Sequence, residues 1–208
     1  MSQLIKVNII GSGGHARSLL SLIGEGQLIQ VNGIFDESYS SFPNEKIGNT
    51  KLIGGIDSLH SLSDSIILAL GNIEEKIELV EKFKSNIFIE NLISNSALVR
   101  KDVILGVGNH VFPFAFLNSE VEIGNHCIIN SRATIEHESK IGNFCHISVG
   151  AIICGRVSIG DNSFIGAGSI VKDGVKICDN VIVGAGAVVL KDVTSSGTYI
   201  GNPLRKIK

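Results

Sequence analysis

The 208-residue sequence predicts a small α/β domain followed by a parallel β-helix. Three observations support this prediction. Aliphatic residues recur at every sixth position from Ile93 to Val189, a short side chain stands two residues before each of them, and the first ninety residues alternate strand-like and helix-like apolar patterns. A period of six fits neither an amphipathic helix nor the alternation of a long strand, and it indicates a repeat architecture. We therefore assign residues 1–90 to the first domain and 91–208 to the second.

The six-residue spacing predicts short strands that stack in coils. It is unbroken over seventeen positions, which are Ile93, Val99, Leu105, Val111, Leu117, Ile123, Ile129, Ile135, Ile141, Ile147, Ile153, Ile159, Ile165, Val171, Ile177, Val183 and Val189. Residues two apart on a strand face the same side, so each strand directs one large and one small side chain inward. The interior of the β-helix is therefore expected to be narrow and apolar.

The corners of the coil are also visible in the sequence. The residue after the aliphatic is commonly Gly or Asn, as at Gly124 and Asn130. Both types tolerate the left-handed backbone conformation of a tight corner. The motif Ile-Gly-Asn/Asp recurs at an interval of 18 residues, beginning at Ile123, Ile141 and Ile159. Three hexapeptides are therefore predicted to form one triangular coil.

The first domain is predicted to contain a parallel sheet. Strands are expected over 5–10, 31–35, 66–70 and 87–89, and apolar periodicity predicts helices after the first and the third of them. This alternation is typical of an α/β unit with parallel strands. Ligands of such sheets bind beyond the carboxyl ends of the strands.

A glycine-rich turn follows the first predicted strand, at the edge where a ligand is expected. Gly11, Gly13 and Gly14 approximate the pattern G-x-G-x-x-A, in which small residues let the backbone approach a phosphate and the helix N-terminus favours its negative charge. The next strand ends at Asp36, and this combination favours nucleotide binding. A purely structural strand-to-helix turn is the alternative.

Composition and charge limit the classes of ligand and partner. A formal net charge of -2 provides no general field for nucleic acid or an anionic membrane, so a small-molecule ligand is expected. Residues 1–6 lack the features of a signal peptide and no apolar run reaches membrane-spanning length, which predicts a cytoplasmic protein without membrane insertion. No metal-ligand spacing is present, so free thiols and no bound metal are expected for Cys127, Cys145, Cys154 and Cys178.

Motifs at both ends and in the coil point to one family. They are Gly-Ser-Gly-Gly-His-Ala at 11–16, Ile-Glu-His-Glu at 135–138 and Gly-Asn-Pro-Leu-Arg at 201–205. With them the chain resembles the bacterial sugar acetyltransferases of the hexapeptide-repeat superfamily, which include UDP-4-amino-sugar N-acetyltransferases and sialic acid O-acetyltransferases. The resemblance implies a Rossmann-like N-terminal subdomain that binds a nucleotide sugar, a left-handed parallel β-helix that binds acetyl-CoA, and a homotrimer. It implies acetyl transfer to the amine of a UDP-4-amino-4,6-dideoxy sugar.

The resemblance also assigns roles to individual residues. His137 is similar to the catalytic base and Glu138 to the carboxylate that orients it, while His146 is similar to the histidine that contacts the thioester carbonyl of acetyl-CoA. Asn130 resembles a polar residue near the acceptor. The residues implied along the pantetheine arm are Gly155, Ala167 and Ala185, and those implied at the nucleotide sugar are Gly11, Gly13, Gly14, His15 and Asp36.

The repeat spacing predicts where the two histidines lie. A histidine, which titrates near neutrality, suits the removal of a proton from an attacking amine or hydroxyl. From His137 to His146 is nine residues, half of an 18-residue coil, so the two side chains should lie on different sides of one chain. If both act on one thioester, a corner of one subunit has to meet a face of its neighbour. We therefore expect a homotrimer with three active sites in the clefts between subunits.

Three other functions share parts of this pattern. A sugar O-acetyltransferase, for example one that acts on sialic acid, would use the same base. A zinc carbonic anhydrase of the same fold needs three converging histidines, and the spacings among His126, His137 and His146 do not favour it. A β-helix that serves as an assembly scaffold, with a nucleotide-sensing domain, needs no catalytic base. His60, His110 and His126 are expected to have no catalytic role.

Overall fold

The computed structural model describes residues 4–25, 28–42, 45–61, 64–88 and 90–208. The chain divides into two compact units, Met1–Phe88 and Ile89–Lys208. The first is an α/β unit and the second is a hexapeptide-repeat β-helix, so the predicted fold class is confirmed. Among the residues that are described, no helix is long and apolar enough to cross a membrane.

The N-terminal unit packs helices against a five-stranded sheet. Its elements are β1 (Ile5–Ile10), α1 (Gly14–Ile23), β2 (Ile29–Phe35), β3 (Lys46–Ile47), β4 (Thr50–Gly54), β5 (Ser65–Leu68) and α2 (Ile73–Lys82). The strand order is β3-β4-β2-β1-β5, and only the short β3 pairs in an antiparallel direction. Ile10 and Phe35 from the sheet pack with Leu79 and Phe83 at the α2 side. The Asn72 side chain begins α2 by accepting a hydrogen bond from the backbone N–H three residues on.

This unit differs from its sequence prediction in two places. The prediction missed β3 and β4, because β3 has two residues and β4 leads into two consecutive glycines, a pattern that indicates a turn. The strand expected over 87–89 was wrong in its described part, where Ile87 forms a single parallel bridge with Ile66. Ile89 lies outside the described residues.

The C-terminal unit contains a short strand at each of the seventeen predicted aliphatic positions. In chain order these are β6 (Leu92–Ile93), β7 (Leu98–Val99), β8 (Ile104–Leu105), β9 (His110–Val111), β10 (Phe116–Leu117), β11 (Glu122–Ile123), β12 (Ile128–Ile129), β13 (Thr134–Ile135), β14 (Lys140–Ile141), β15 (His146–Ile147), β16 (Ile152–Ile153), β17 (Ser158–Ile159), β18 (Phe164–Ile165), β19 (Ile170–Val171), β20 (Lys176–Ile177), β21 (Val181–Val183) and β22 (Val188–Val189). The hairpin β23 (Gly197–Ile200) and β24 (Arg205–Lys206) follows.

Every third strand joins the same sheet. Sheet I contains β6, β9, β12, β15, β18, β21, β23 and β24; sheet II contains β7, β10, β13, β16, β19 and β22; sheet III contains β8, β11, β14, β17 and β20. Partners are 18 residues apart, so that Ile135 lies between Leu117 and Ile153. The predicted triangular coil of three hexapeptides is therefore confirmed.

The interior of the β-helix is apolar and tightly filled. Ile129, Ile147 and Ile165 lie on successive coils and are fully buried. Cys127 and Cys145 are free thiols one coil apart and are also buried. The hydrogen bond to Cys127, together with burial, raises the pKa of Cys145 well above its usual value. Both cysteines therefore fill the core as small apolar side chains, and Cys145 does so as a protonated thiol.

A ladder of side-chain amides and carboxylates explains the Ile-Gly-Asn/Asp motif. Asn125 Oδ1 accepts a hydrogen bond from Val107 N at 2.9 Å, and Asn143 Oδ1 accepts one from Asn125 N at 2.9 Å. The ladder continues from Asn143 N to Asp161 Oδ1 at 2.7 Å and from Asp161 N to Asp179 Oδ1 at 2.9 Å. Each of these side chains therefore satisfies a backbone donor one coil before it, at the corner between sheets III and I.

Replacing Gly142 with alanine is expected to destabilise the β-helix. A Cβ at Gly142 would lie 2.7 Å from the Asp161 backbone nitrogen and 2.8 Å from the Gly160 carbonyl carbon, neither of which can move without disturbing the ladder. Overpacking of this kind costs about 1–3 kcal/mol. The free energy of unfolding, measured in urea by far-ultraviolet circular dichroism, reports the loss.

The matched control is Gly150→Asn in the same β-helix. Gly150 has a φ of +64° and open space at its Cβ position, and asparagine tolerates that backbone conformation. Its free energy of unfolding should change by no more than about 0.5 kcal/mol. Equal unfolding midpoints for the two variants would contradict a steric requirement for glycine at position 142.

Candidate active site

The glycine turn of the N-terminal unit lies between the ends of three strands. Gly11 has a φ of +105°, and a Cβ there would be 2.7 Å from the carbonyl oxygen of Ala69, just after β5. No other residue type fits this position without strain. Gly13 caps α1 and Gly14 opens it, and both are exposed with open space around them. His15 is half-buried in the first turn of the same helix.

The Asp36 carboxylate joins this turn to the loop after β2. Its Oδ2 accepts a hydrogen bond from the Ser12 backbone at 2.7 Å, and its Oδ1 accepts from the Ser38 backbone at 2.8 Å and the Ser38 hydroxyl at 2.6 Å. Burial alone would raise the pKa of Asp36, but these hydrogen bonds from Ser38 and Ser12 together lower it. Sequence reasoning missed both serines and assigned Asp36 to the ligand, whereas the carboxylate contacts its own chain. A ligand contact of Asp36 stays a prediction.

An acidic cavity of about 420 Å³ lies next to Asp36 at the carboxyl edge of the sheet. Its lining residues are Glu37, Gly55, Ile56, Asp57, Glu75, Glu78, Leu79 and Lys82. Burial raises the pKa of Glu75, and the carboxylates of Glu37, Asp36 and Glu78 raise it further. The cavity therefore favours ligand groups that donate hydrogen bonds over phosphate groups.

His137 and Glu138 form a side-chain pair at the corner between sheets II and III. The chain turns outward after the buried Ile135, and His137 Nδ1 lies 2.9 Å from Glu138 Oε2. Glu138 has a φ of +60°, the left-handed conformation that Glu120 and Arg156 also adopt at the corresponding corner position of the repeat. The His137 side chain is 44% exposed. The carboxylate holds one imidazole nitrogen and leaves Nε2 available.

Gly155 lies one coil after His137 and is close to its imidazole. A Cβ at Gly155 would be 2.8 Å from His137 Nε2 and 3.0 Å from Asp173 Oδ2. Glycine is therefore the residue that leaves room for the ring. Sequence reasoning placed Gly155 with the cofactor but did not detect this contact.

Two charged residues at the same corner were missed. Arg156 Nη2 lies 2.7 Å and 2.9 Å from the two carboxylate oxygens of Asp173, and Arg156 Nη1 lies 3.7 Å from Glu138 Oε2. The available signal was the 18-residue period, since Arg156 is 18 residues after Glu138 and Asp173 is 18 after Gly155. Five residues from three successive coils therefore meet at this corner: His137, Glu138, Gly155, Arg156 and Asp173.

His146 and Asn130 form a second group, on sheet I. His146 lies at the outward position of β15, with its Nε2 3.4 Å from Asn130 Nδ2 on the preceding coil. The ring of Phe164, on the next coil, meets the His146 ring edge-on at a centroid distance of 5.0 Å. His137 and His146 therefore belong to different sides of the coil, as the nine-residue spacing predicted.

Ala167 and Ala185 lie on one edge of the β-helix, at the corner between sheets I and II where Asn130 also lies. Each is flanked by two glycines. Gly168 and Gly186 have φ values of +64° and +67°, and neither has a neighbouring atom within 4 Å of its Cβ position. This run of small residues forms a smooth, open strip. In the described ranges, no cluster of three His, Cys, Asp or Glu side chains is arranged to hold a metal ion.

Comparisons with known protein families agree with both units. Residues 6–83 match the PglD N-terminal domain family. Residues 138–173 match the bacterial transferase hexapeptide family, described as six repeats, and residues 156–191 match the hexapeptide repeat of succinyl-transferase. A search of the curated proteins gives no match.

Solved structures resemble the whole chain. PerB from Caulobacter crescentus, solved in complex with CoA and GDP-perosamine, is 30% identical, with 98% of this chain and 97% of that chain covered and a TM-score of 0.87. The acetyltransferase domain of PglB from Neisseria gonorrhoeae is 28% identical over 97% and 99% of the two chains, with a TM-score of 0.88. WeeI from Acinetobacter baumannii, 23% identical over 98% and 100% with a TM-score of 0.86, shares the fold. This chain is an acyltransferase and belongs to the hexapeptide-repeat family of bacterial sugar acetyltransferases.

Proposed function

We propose that this enzyme transfers an acetyl group from acetyl-CoA to the amine of a nucleotide-linked amino sugar, with a UDP-4-amino-4,6-dideoxy sugar as the first candidate. The observation that best supports the reaction is the His137 and Glu138 pair, 2.9 Å apart, with Nε2 of the imidazole at Gly155. This arrangement suits a general base in a chain that is 30% identical to PerB over nearly its whole length.

In the proposed reaction His137 moves one proton twice. His137 keeps its proton on Nδ1, where it forms the hydrogen bond to Glu138. Its Nε2 accepts the amine proton while the amine nitrogen bonds to the thioester carbonyl carbon. The carbon–sulfur bond breaks, and the imidazolium returns the proton to the CoA sulfur. The Glu138 carboxylate fixes the ring orientation and stabilises the imidazolium between the two transfers.

Gly155 is proposed to help bind the thioester. Within the part of the chain that the structure describes, its backbone N–H donates to no acceptor, and it is buried close to the His137 ring. A fixed N–H at this position can donate to the thioester oxygen as negative charge develops there. His146, which lies with Asn130 on sheet I, is proposed to contact the same thioester carbonyl.

The strip of small residues suits the narrow pantetheine arm of acetyl-CoA. Acetyl-CoA supplies the activated acetyl group, and the chain supplies the surface that holds it. Ala167 and Ala185 project only methyl groups, so a ligand can approach the backbone along this edge. Asn130 lies two coils before Ala167 at the same corner, which places the strip in line with the Asn130 and His146 group.

The N-terminal unit is proposed to bind the nucleotide sugar at the carboxyl edge of its sheet. The open glycine turn and the N-terminus of α1 suit a diphosphate. The acidic cavity beside it is of the size of a small-ligand site, and its carboxylates suit sugar hydroxyls or a base edge rich in donors. Placing the phosphates in the cavity instead would bring like charges together.

The outward side chains of the β-helix support a homotrimer. On sheet III they include Glu122, Lys140 and Lys176, as expected for a face in water. Sheet II is different, because its outward positions are occupied by Leu98, Phe116, Thr134, Ile152, Ile170 and Val188. A face that is apolar at five of these six positions, with 52% exposure at Leu98, supports a subunit interface.

An acetylation assay tests the proposed function and its acceptor. Purified enzyme with acetyl-CoA is given UDP-4-amino-4,6-dideoxy sugar, GDP-perosamine or sialic acid, and release of the CoA thiol is measured. We expect turnover with a nucleotide-linked amino sugar and none with sialic acid. Turnover with the GDP sugar alone would show that GDP, the nucleotide in the PerB complex, replaces UDP in the proposed substrate. Turnover only with sialic acid would overturn the proposed N-acetylation.

A further inference from the structure

We propose that Arg156 is a positioning residue that holds the carboxylates on either side of His137 in place and keeps Nε2 of the imidazole free to accept a proton. This inference rests on the proposed role of His137 as general base. The two carboxylates are those of Glu138, at the Nδ1 side of the ring, and Asp173, at the Nε2 side. Arg156 contacts both of them.

The geometry of the corner places Asp173 near the reactive nitrogen. A carbon added to Gly155 would contact both His137 Nε2, at 2.8 Å, and Asp173 Oδ2, at 3.0 Å. Both atoms therefore lie next to the same small space, which glycine leaves empty. A free carboxylate in that position would compete with the acceptor amine for Nε2.

The Arg156 guanidinium removes that competition. Its Nη2 donates to both oxygens of Asp173, at 2.7 Å and 2.9 Å, and this contact turns the carboxylate toward the arginine. The arginine backbone is fixed as well, because Arg156 N donates to His137 O at 2.9 Å and its φ is +56°. The guanidinium is therefore anchored one coil after the residue that it supports.

The charges around the imidazole predict the direction in which each substitution shifts the pH–rate profile. A base has to be neutral before it can accept a proton; removing a neighbouring cation favours the imidazolium, and removing a neighbouring anion disfavours it. The positive charge of Arg156 opposes both carboxylates. On the neighbouring coils of this corner, Glu136 accepts a hydrogen bond from the Asn118 side-chain amide at 2.6 Å and Asp192 accepts one from the Lys176 backbone at 2.9 Å. The other charged residues of the corner are Arg100, Lys101, Asp102, Glu120, Lys172 and Lys191.

The test compares Arg156→Gln with Asp173→Asn in the full-length enzyme. We expect Arg156→Gln to lower kcat about tenfold at neutral pH, mainly because Asp173 can then compete with the amine for Nε2. The loss of a cation should also move the acidic limb of the pH–rate profile about half a unit to higher pH. Asp173→Asn should move the same limb to lower pH, because an anion is lost. KM for acetyl-CoA should change less than twofold in both, and Arg156→Lys should restore most of kcat.

Lys140→Gln is the matched control. It breaks another ion pair between neighbouring coils, Lys140 with Glu122 at 2.8 Å, on the polar sheet III. Its loss of thermal stability should resemble that of Arg156→Gln, while its kcat and pH profile stay at wild-type values. A wild-type kcat and limb position in Arg156→Gln, or limb shifts of the same direction in the Arg156 and Asp173 variants, would overturn the proposal. An active His137→Asn enzyme would instead overturn the proposed base itself.

Discussion

Replacing His137 with asparagine is expected to lower kcat about 10²–10⁴-fold, because asparagine has no nitrogen that can accept the amine proton at neutral pH. KM for acetyl-CoA should change little, since the interactions proposed for the thioester come from the Gly155 backbone and His146 rather than from the base. The measurement is the steady-state rate of CoA thiol release at saturating amino sugar. Thermal unfolding of the variant shows whether the corner is intact.

His126→Asn provides the control for this substitution. His126 lies on the corner between sheets III and I, where its ring stacks on Phe144 at a centroid distance of 5.2 Å, and its φ of +56° is acceptable for asparagine. It was expected from the sequence to have no catalytic role, and its kcat should remain within about twofold of the wild type. Equal rates for the two variants would show that acetyl transfer does not depend on His137.

The β-helix was predictable to the residue because its interior is determined locally. Each coil buries the same aliphatic positions, so the seventeen aliphatic residues locate the strands β6 to β22 and the corners between them, but not the hairpin of β23 and β24. The ladder through Asn125, Asn143 and Asp161 repeats with the same 18-residue period. In such a fold the sequence period is the structural period, and little depends on distant contacts.

The α/β unit was less predictable for the opposite reason. β4 pairs with β2 in the sheet, although β3 and residues 36–45 separate them in the chain, so its formation depends on a distant partner. Asp36 shows the same limitation at the level of a single side chain. Its position after a strand predicted a ligand contact, whereas the backbone of Ser12 and both donors of Ser38 occupy its oxygens. The sequence does not contain the loop conformation that brings these donors together.

The candidate site combines both situations. The 18-residue period brings His137 beside Gly155 and Glu138 beside Arg156, and both contacts follow from arithmetic on the sequence. The repeat spacing does not predict which carboxylate Arg156 pairs with. Arg156 contacts Asp173 more closely than Glu138, and side-chain rotamers at the corner decide this.

Mixing two inactive variants is expected to restore activity if each site lies between subunits. The His137→Asn and His146→Ala chains should each fall below about a tenth of the wild-type rate. In a ring of three chains, every cleft takes a corner from one chain and a face from the next. Co-expression in equal amounts should therefore leave about a quarter of the clefts with both histidines. The rate of the co-expressed enzyme, purified without separating mixed trimers from homotrimers and compared with wild type, measures this fraction.

The matched control co-expresses wild-type chains with the double variant His137→Asn/His146→Ala. If sites lie between subunits, this mixture also leaves about a quarter of the clefts intact, so the two mixtures should have equal rates. If both histidines act within one chain, the first mixture has no intact site, whereas the second retains about half. The separation of His137 and His146 onto different sides of one coil requires the first outcome, provided that both contact the same thioester. An inactive first mixture beside a half-active second one would contradict the proposed cleft and leave only one of the two histidines at the site.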